Sequence, residues 1–235
     1  MAESLKADIC VIGAGSGGLS VAAGAAQLGA NVVLIERGAM GGDCLNSGCI
    51  PSKSMIAAGH RADVMRSSRA FGITPVTPSI NHKAVADHIQ QVIEKIAPND
   101  SVERFTGLGV RVIRASASFV DKSTVAAGDF EIRARRFVIA TGSSPTVPPI
   151  PGLDRIPFMT NETVFHNVVK PEHLIIIGGG PIGIELAQAH YRLGSKVTVL
   201  EAMKALGKDD PELTHMVLEK LRGEGIGIHE GGLVE

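Results

Sequence analysis

The chain has 235 residues, 44% of them hydrophobic, and a formal net charge of −1, which is enough apolar material for one large core or two modest ones. That balance argues against disorder and against a polyanion binder: no run of like charges marks a nucleic-acid or membrane-surface patch, and one tyrosine with no tryptophan leaves few base-stacking platforms. MAESLKADICVIGAG lacks the basic start and apolar stretch of a signal peptide, no apolar run approaches the ~20 residues of a membrane span, and three cysteines are too few for a secreted disulfide scaffold, so a cytoplasmic protein with small-molecule or protein partners is expected.

The first element is legible in ADICVIGAGSGGLSVAAGAAQLGANVVLIER. A short apolar run breaks into glycines, resumes as a small-residue helical pattern and ends in a β-branched run, which reads as strand, turn, helix, strand. Gly13, Gly15 and Gly18 have G-x-G-x-x-G spacing, and Glu36 follows 18 positions after Gly18. In such a unit the three glycines serve a tight turn, the approach of a pyrophosphate and the close packing of helix on strand, while the helix N-terminus offers N–H groups to the phosphates. Glu36 is then placed to accept from a ribose diol.

Next comes GGDCLNSGCIPSK, residues 41 to 53, with Cys44 and Cys49 five positions apart. In a regular α-helix that spacing puts the Cα atoms roughly 8.6 Å apart, beyond the ~7 Å reach of a disulfide. Asn46, Ser47 and Gly48 form turns and irregular backbone, which shortens the distance. A bridged loop this small adds little stability, so the pair is better explained by chemistry than by cross-linking. Pro51 suits the first turn of a helix, so Cys49 falls at or near a helix N-terminus, where the dipole favours a thiolate. Lys53 lies one turn beyond Cys49 on the same face, a cation for a thiolate or an electron-rich ring. The competing readings are a zinc half-site, which lacks two further ligands nearby, and unpaired structural thiols. Cys10, on an apolar strand, reads as core.

The middle of the chain is expected to hold a helix starting near Pro51, a second helical stretch from about Asn81 to Phe105, and short strands through RVIRASASFV, STVAA and FEIRA. FVIATGSSP reads as a separate buried strand ending in a small-residue turn. The proline cluster from Pro145 to Pro157 reads as the junction between domains 1–150 and 151–235. Beyond it, HLIIIGGGPIGIELAQAHYRLGSKVTVLEA repeats the first unit, with Gly178, Gly180 and Gly183 and then Glu201 again 18 positions on. Two copies imply two dinucleotide sites and an α/β fold of two Rossmann-like, three-layer ββα domains. A carboxylate at the ribose edge repels a 2′-phosphate, so Glu201 favours NAD(H) over NADP(H). Glu185 reads by itself as ordinary surface, and the histidines lack metal or triad spacing.

Taken together, GGDCLNSGCIPSK, the first glycine turn with Glu36, the ATG of FVIATGSSP and the second glycine turn resemble the flavoprotein disulfide reductases, such as dihydrolipoamide dehydrogenase, glutathione reductase and mercuric reductase. The resemblance extends along essentially the whole chain. It implies FAD at the first turn and NAD(P)H at the second. The implied FAD contacts are Gly13, Gly15, Ser16, Gly18, Glu36, Gly42, Asp43, Lys53, Ala117 through its backbone, Thr141 and Gly142, with Gly17, Arg37, Cys44 and Ser143 beside them. The implied nicotinamide site takes Gly178, Gly180, Pro181, Ile182, Gly183 and Glu201, with Glu185 beside them. By the same resemblance Cys49 faces the flavin, Cys44 attacks the substrate disulfide, and Lys53 and Glu185 pair beside the flavin ring.

The implied reaction moves electrons between NAD(H) and a disulfide or dithiol through FAD and the Cys44–Cys49 pair. CIPSK and Glu201 are most similar to dihydrolipoamide dehydrogenase, while mercuric reductase, glutathione reductase and transhydrogenase-like members, or an inactive dinucleotide-binding fragment, are the alternatives. Pro181 stands where many members place a shielding tyrosine, and Asp43 where threonine is usual. Members of the family form homodimers through a further domain. This chain ends at GIHEGGLVE, early in a third strand of the nicotinamide domain, and so corresponds to an N-terminal half whose expected disulfide turnover is weak.

Overall fold

The structure, a computed structural model, describes residues 2–232; positions 233–235, which end the expected second domain, lie outside the described residues. In chain order it contains β1 (Glu3–Ile12), α1 (Ser16–Gln27), β2 (Val32–Ile35), α2 (Gly42–Asn46), α3 (Cys49–Ser67), α4 (His82–Ile96) and α5 (Val102–Gly107). These are followed by β3 (Arg111–Ile113), β4 (Ala117–Asp121), β5 (Thr124–Ala127), β6 (Phe130–Ile139), β7 (His173–Ile177), α6 (Pro181–Arg192), β8 (Lys196–Glu201), α7 (Pro211–Glu224) and β9 (Gly227–Glu230). The residues form two compact units, Met1–Pro51 with Gln90–Thr146, and Ser52–Ile89 with Val147–Glu235, so the division passes inside α3 and α4.

In the first unit the strand order is β3-β2-β1-β6-β5-β4. The pairs from β3 to β6 are parallel and the last two antiparallel. The apolar run Ile9–Ile12 explains the central place of β1, because both of its faces are covered. Val11 packs with Leu19 and Ala22 of α1 and with Phe105 of α5, while Cys10 packs with Ile35, Val125 and Ile132 on the opposite face. Phe105 is 2% exposed and anchors its short helix; truncation to alanine there costs about 3–5 kcal/mol.

Three sequence expectations change. FEIRA and the FVI of FVIATG are one ten-residue strand, β6, because β1 pairs along it from Glu3↔Phe130 to Ile12↔Ile139. Its end is not buried, since Ile139 is 68% exposed. The helical stretch expected to Phe105 stops at Ile96, turns through the 3-10 segment Ala97–Asp100, which contains Pro98, and restarts at Val102. Ser101 is extended there and its Oγ accepts the Arg104 N–H at 3.1 Å, an N-cap. The helix expected near Pro51 begins at Cys49, in keeping with the place expected for that cysteine.

The second unit has the parallel order β7-β8-β9. Ile184 and Ala187 of α6 and Leu218 and Leu221 of α7 cover Val197 and Val199 of β8. Asp210 caps α7 by accepting the N–H groups of Glu212 and Leu213 at 2.9 and 3.3 Å, Pro211 follows inside the cap, and Gly225 closes the helix in the left-handed region. Arg192, at the end of α6, ties this unit together. Its guanidinium grips Glu224 at 3.0 and 2.7 Å and lies 3.5 Å from Asp63 of α3, while its carbonyl accepts from Arg66 at 2.7 Å.

Candidate active site

The two glycine turns have the same local construction. In each, the third glycine must lack a Cβ, because one on Gly18 would enter the Gly13 carbonyl and one on Gly183 the Gly178 carbonyl. Gly15 and Gly180 are extended N-caps with no side-chain cap bond, so the first-turn N–H groups of two twelve-residue helices stay open to an anion. The acid ending the second strand folds back onto its turn. Glu36 accepts the Ala14 and Gly38 N–H groups, both at 2.6 Å, and Glu201 accepts Gly179 and Met203 at 2.7 and 2.9 Å. Hydrogen bonds from the Met203 and Gly179 backbone hold the Glu201 carboxyl below its usual range, so it remains an anion. A carboxylate has lone pairs left over after two such bonds, and with bare backbone and open helix ends both turns fit a dinucleotide.

The surroundings of the turns differ. A Cβ on Gly13 would strike the Ala140 carbonyl and approach Thr141, and a Cβ on Gly42 would strike Gly15. Gly15 also forms an isolated parallel bridge with Gly41. Two further loops, 41–42 and 140–141, therefore press on the first turn. At the second turn nothing lies within 4 Å of a Cβ on Gly178 or Gly180, while the loop after Glu201 closes on Gly179: the Leu206 N–H donates to its carbonyl at 2.8 Å, and a Cβ there would meet Ala205.

The Gly41–Gly42 clasp leads directly into the cysteines. Cys44 is inside α2, and Ser47 and Gly48 break the helix before Cys49 opens α3. The break supplies the irregular backbone that brings the two sulfurs together. All three cysteines are thiols, and those of Cys44 and Cys49 are hydrogen-bonded to each other. That bond raises the Cys44 thiol above its ordinary pKa, with desolvation adding to it and the charges of Cys49 and Asp100 contributing less. Cys10 lies wholly within the core, and burial pushes its thiol up to about 11, an inert position.

The structure also joins Lys53 to Glu185, Nζ to Oε2 at 2.7 Å, across 132 residues of chain. Ser16, Gly17, Arg37, Asp43, Thr141, Gly142 and Ser143 are exposed around or beyond the first turn, and Asp43 accepts from the Ser47 hydroxyl at 2.6 Å. Pro181 and Ile182 open α6 and are exposed. Ala117 stands apart from these residues: it opens β4, at the opposite end of the strand order from β3, and packs against the Cys10 cluster. Sequence reading missed Asp100, whose carboxylate lies beside Gly41; its place depends on the turn at 97–100, and the expected continuous helix hid it. Among the described residues no three His, Cys, Asp or Glu side chains converge as a metal site, and no helix is long and apolar enough to cross a membrane.

Two dinucleotide turns with a cysteine pair clasped to the first define a class. Residues 7–235 match the family of pyridine nucleotide-disulphide oxidoreductases, and the chain belongs to that family. Among its relatives are the mercuric reductases of Streptomyces lividans, 33% identical over 228 residues covering 94% of this chain and 48% of the relative, and of Shigella flexneri, 36% identical over 233 residues covering 94% and 41%. A similar solved structure is the HOCl-induced flavoprotein disulfide reductase RclA from Escherichia coli, in its Cu(II) complex, with a TM-score of 0.81, 28% identity and coverage of 97% of this chain and 49% of that one. The chain spans about half the length of these relatives or somewhat less.

Proposed function

We propose that the chain is the dinucleotide-binding part of an NAD(P)H-linked flavoprotein disulfide oxidoreductase, with FAD at the first turn, a nicotinamide dinucleotide at the second, and Cys44 and Cys49 as the redox pair. The observation that carries this reading is the clasp of Gly41 and Gly42 on Gly15, which ties the loop of two hydrogen-bonded thiols to a dinucleotide turn. A flavin bound there supplies a two-electron relay between nicotinamide and sulfur. In this reading residues 1–150 form the FAD domain and 151–235 the start of the nicotinamide domain, and the ionised Glu201 favours NAD(H) over NADP(H).

The chain's own residues account for the sulfur chemistry. The Cys44 thiolate attacks one sulfur of a substrate disulfide and releases the first thiol. Cys49 attacks the resulting mixed disulfide at the Cys44 sulfur, releasing the second thiol and closing Cys44–Cys49. Two electrons and two protons have then passed from the pair to the substrate; with a dithiol substrate the same steps run in reverse, as in dihydrolipoamide dehydrogenase. Lys53, one turn along α3 from Cys49, is bound to Glu185 at 2.7 Å. A reducing, cytoplasmic compartment suits the reaction. A second reading, in which the electrons end on a mercuric ion, is favoured by the relatives named mercuric reductase.

Thiol counting tests the reading. The chain loaded with FAD and oxidised to the Cys44–Cys49 disulfide is expected to gain two titratable thiols per flavin on anaerobic addition of one equivalent of NADH, and Cys49→Ser none. Flavin reduction with no gain of thiols in the parent chain would refute it.

A further inference from the structure

A carboxylate from a distant part of the chain stands beside the segment that carries Cys44. The Asp100 Oδ2 lies 3.1 Å from where a Cβ on Gly41 would stand, at the residue that caps the helix holding Cys44, and its charge is felt at the Cys44 sulfur. Asp100 is half-buried, and it is held in place by the 3-10 turn Ala97–Asp100 and the capped helix after it.

Two cations near these residues along the chain are engaged with other groups. Arg104, one turn beyond Asp100, gives its guanidinium to the Asn99 carbonyl and lies 5.7 Å over the Phe105 ring. Lys53, one turn beyond Cys49, is bound to Glu185 at 2.7 Å. Among the described residues no ion pair includes Asp100, so its negative charge is left to act on whatever approaches Cys44.

We infer that Asp100 is a specificity-determining residue, which favours cationic or neutral sulfur electrophiles at Cys44 and disfavours anionic ones such as carboxylate-bearing disulfides. The inference rests on the proposed role of Cys44 and names its substrate class. Discrimination acts on encounter: in a solvated site with ~7 Å between charges, the Coulomb energy corresponds to about a 3-fold change in rate for a singly charged reagent. The effects on a cation and an anion are opposite in sign, so their ratio moves by the square of that factor.

The test uses the whole chain in a Cys49→Ser background, which prevents the pair from closing, and it needs no flavin, so failure of the functional reading leaves its outcome intact. Cys44 reacts with methanethiosulfonates bearing a trimethylammonium, a neutral methyl or a sulfonate group. The thiolate takes the sulfenyl sulfur, a mixed disulfide forms and methanesulfinate leaves. Rates at Cys44, read by peptide mass spectrometry, are divided by the neutral reagent's rate at the same pH, which cancels the thiolate fraction, and by the same ratio for the urea-unfolded chain. The expected result is a cation-to-anion preference of about 10-fold, falling about 5-fold to 10-fold in Asp100→Asn, and collapsing in 1 M salt, where the screening length is about 3 Å. A folded parent chain whose ratios equal those of the unfolded chain would overturn the inference even if the variant fails to fold. So would an unchanged preference in folded Asp100→Asn.

Discussion

The two glycine turns are near copies in sequence and in local geometry, yet two returning segments press on the first and one on the second. At Gly13 and Gly15 the chain brings back residues 140–141 and 41–42; at Gly178 and Gly180 nothing comes within 4 Å of where a Cβ would stand. The difference does not come from the turns, whose glycine spacing and acid are the same. After each acid the chain returns to its own turn, with the Gly41 N–H donating to the Ala14 carbonyl at 2.9 Å and the Leu206 N–H to the Gly179 carbonyl at 2.8 Å; what the first turn has in addition is residues 140–141, at the end of the strand beside β1. The extra contact at the first turn is thus a property of the neighbouring chain and not of the turn itself.

Substitutions that break this contrast order themselves by size. Gly13→Ala combines a forbidden backbone angle, φ +105°, with collision against the Ala140 carbonyl, so the first unit should lose about 3–6 kcal/mol. Gly178→Ala, at φ +111° with open space around it, should cost only about 1–3 kcal/mol. Urea unfolding followed by circular dichroism measures both, and equal losses would erase the distinction.

Glu224→Ala strands the Arg192 guanidinium, whose side chain is 14% exposed, and should cost the second unit about 3 kcal/mol, with Asp63 left as partial compensation. Amide exchange slowed in β7–β9 of the parent chain should quicken there and not in β1–β3.

Acid should weaken the second unit more than the first. His190 is buried with both ring nitrogens unpartnered, and burial, with the nearby His82 charge adding to it, pushes its pKa down to about 4. The unfolded chain binds this proton near pH 6.5 and the folded one only near 4. The stabilisation is therefore complete above about 6.5 and is lost as pH falls between these values, by up to about 3 kcal/mol. His190→Leu should flatten that slope in pH-dependent exchange of α6 and β8; an unaltered slope would assign it to other groups.

The smallest effect concerns the Lys53–Glu185 pair. Both side chains are substantially exposed, 59% and 40%, so a double-mutant cycle should give a coupling of only about 0.2–1 kcal/mol. A pair with so little effect on folding, held at 2.7 Å, matters for where it places a charge.

Much of this organisation is legible in the sequence because it is local. The two glycine turns and their acids lie within single strand–turn–helix–strand units, and the turn formers Asn46–Gly48 announce the break that lets the thiols meet. What is hidden depends on partners far along the chain. The spacing of FEIRARRFVI suggests two strands, and only β1 running alongside makes it one. Ile96 to Phe105 keeps helical character until Pro98 and the Ser101 cap divide it. Nothing near Glu185 points to Lys53, and only a family resemblance connects them. Asp100 has no signal of its own, since the clasp at Gly41 that gives it a neighbour is tertiary.

The central claim is that a flavin seated at the first turn lies against the Cys49 sulfur. Its most direct test is the absorption spectrum of the FAD-loaded chain during stepwise anaerobic reduction. The account predicts a long-wavelength charge-transfer band that develops in the parent chain after two electrons, that is already present in oxidised Cys44→Ser and lost there on two-electron reduction, and that is absent in Cys49→Ser at every step. A flavin that bleaches fully after two electrons in the parent chain, with no such band at any step, would contradict it.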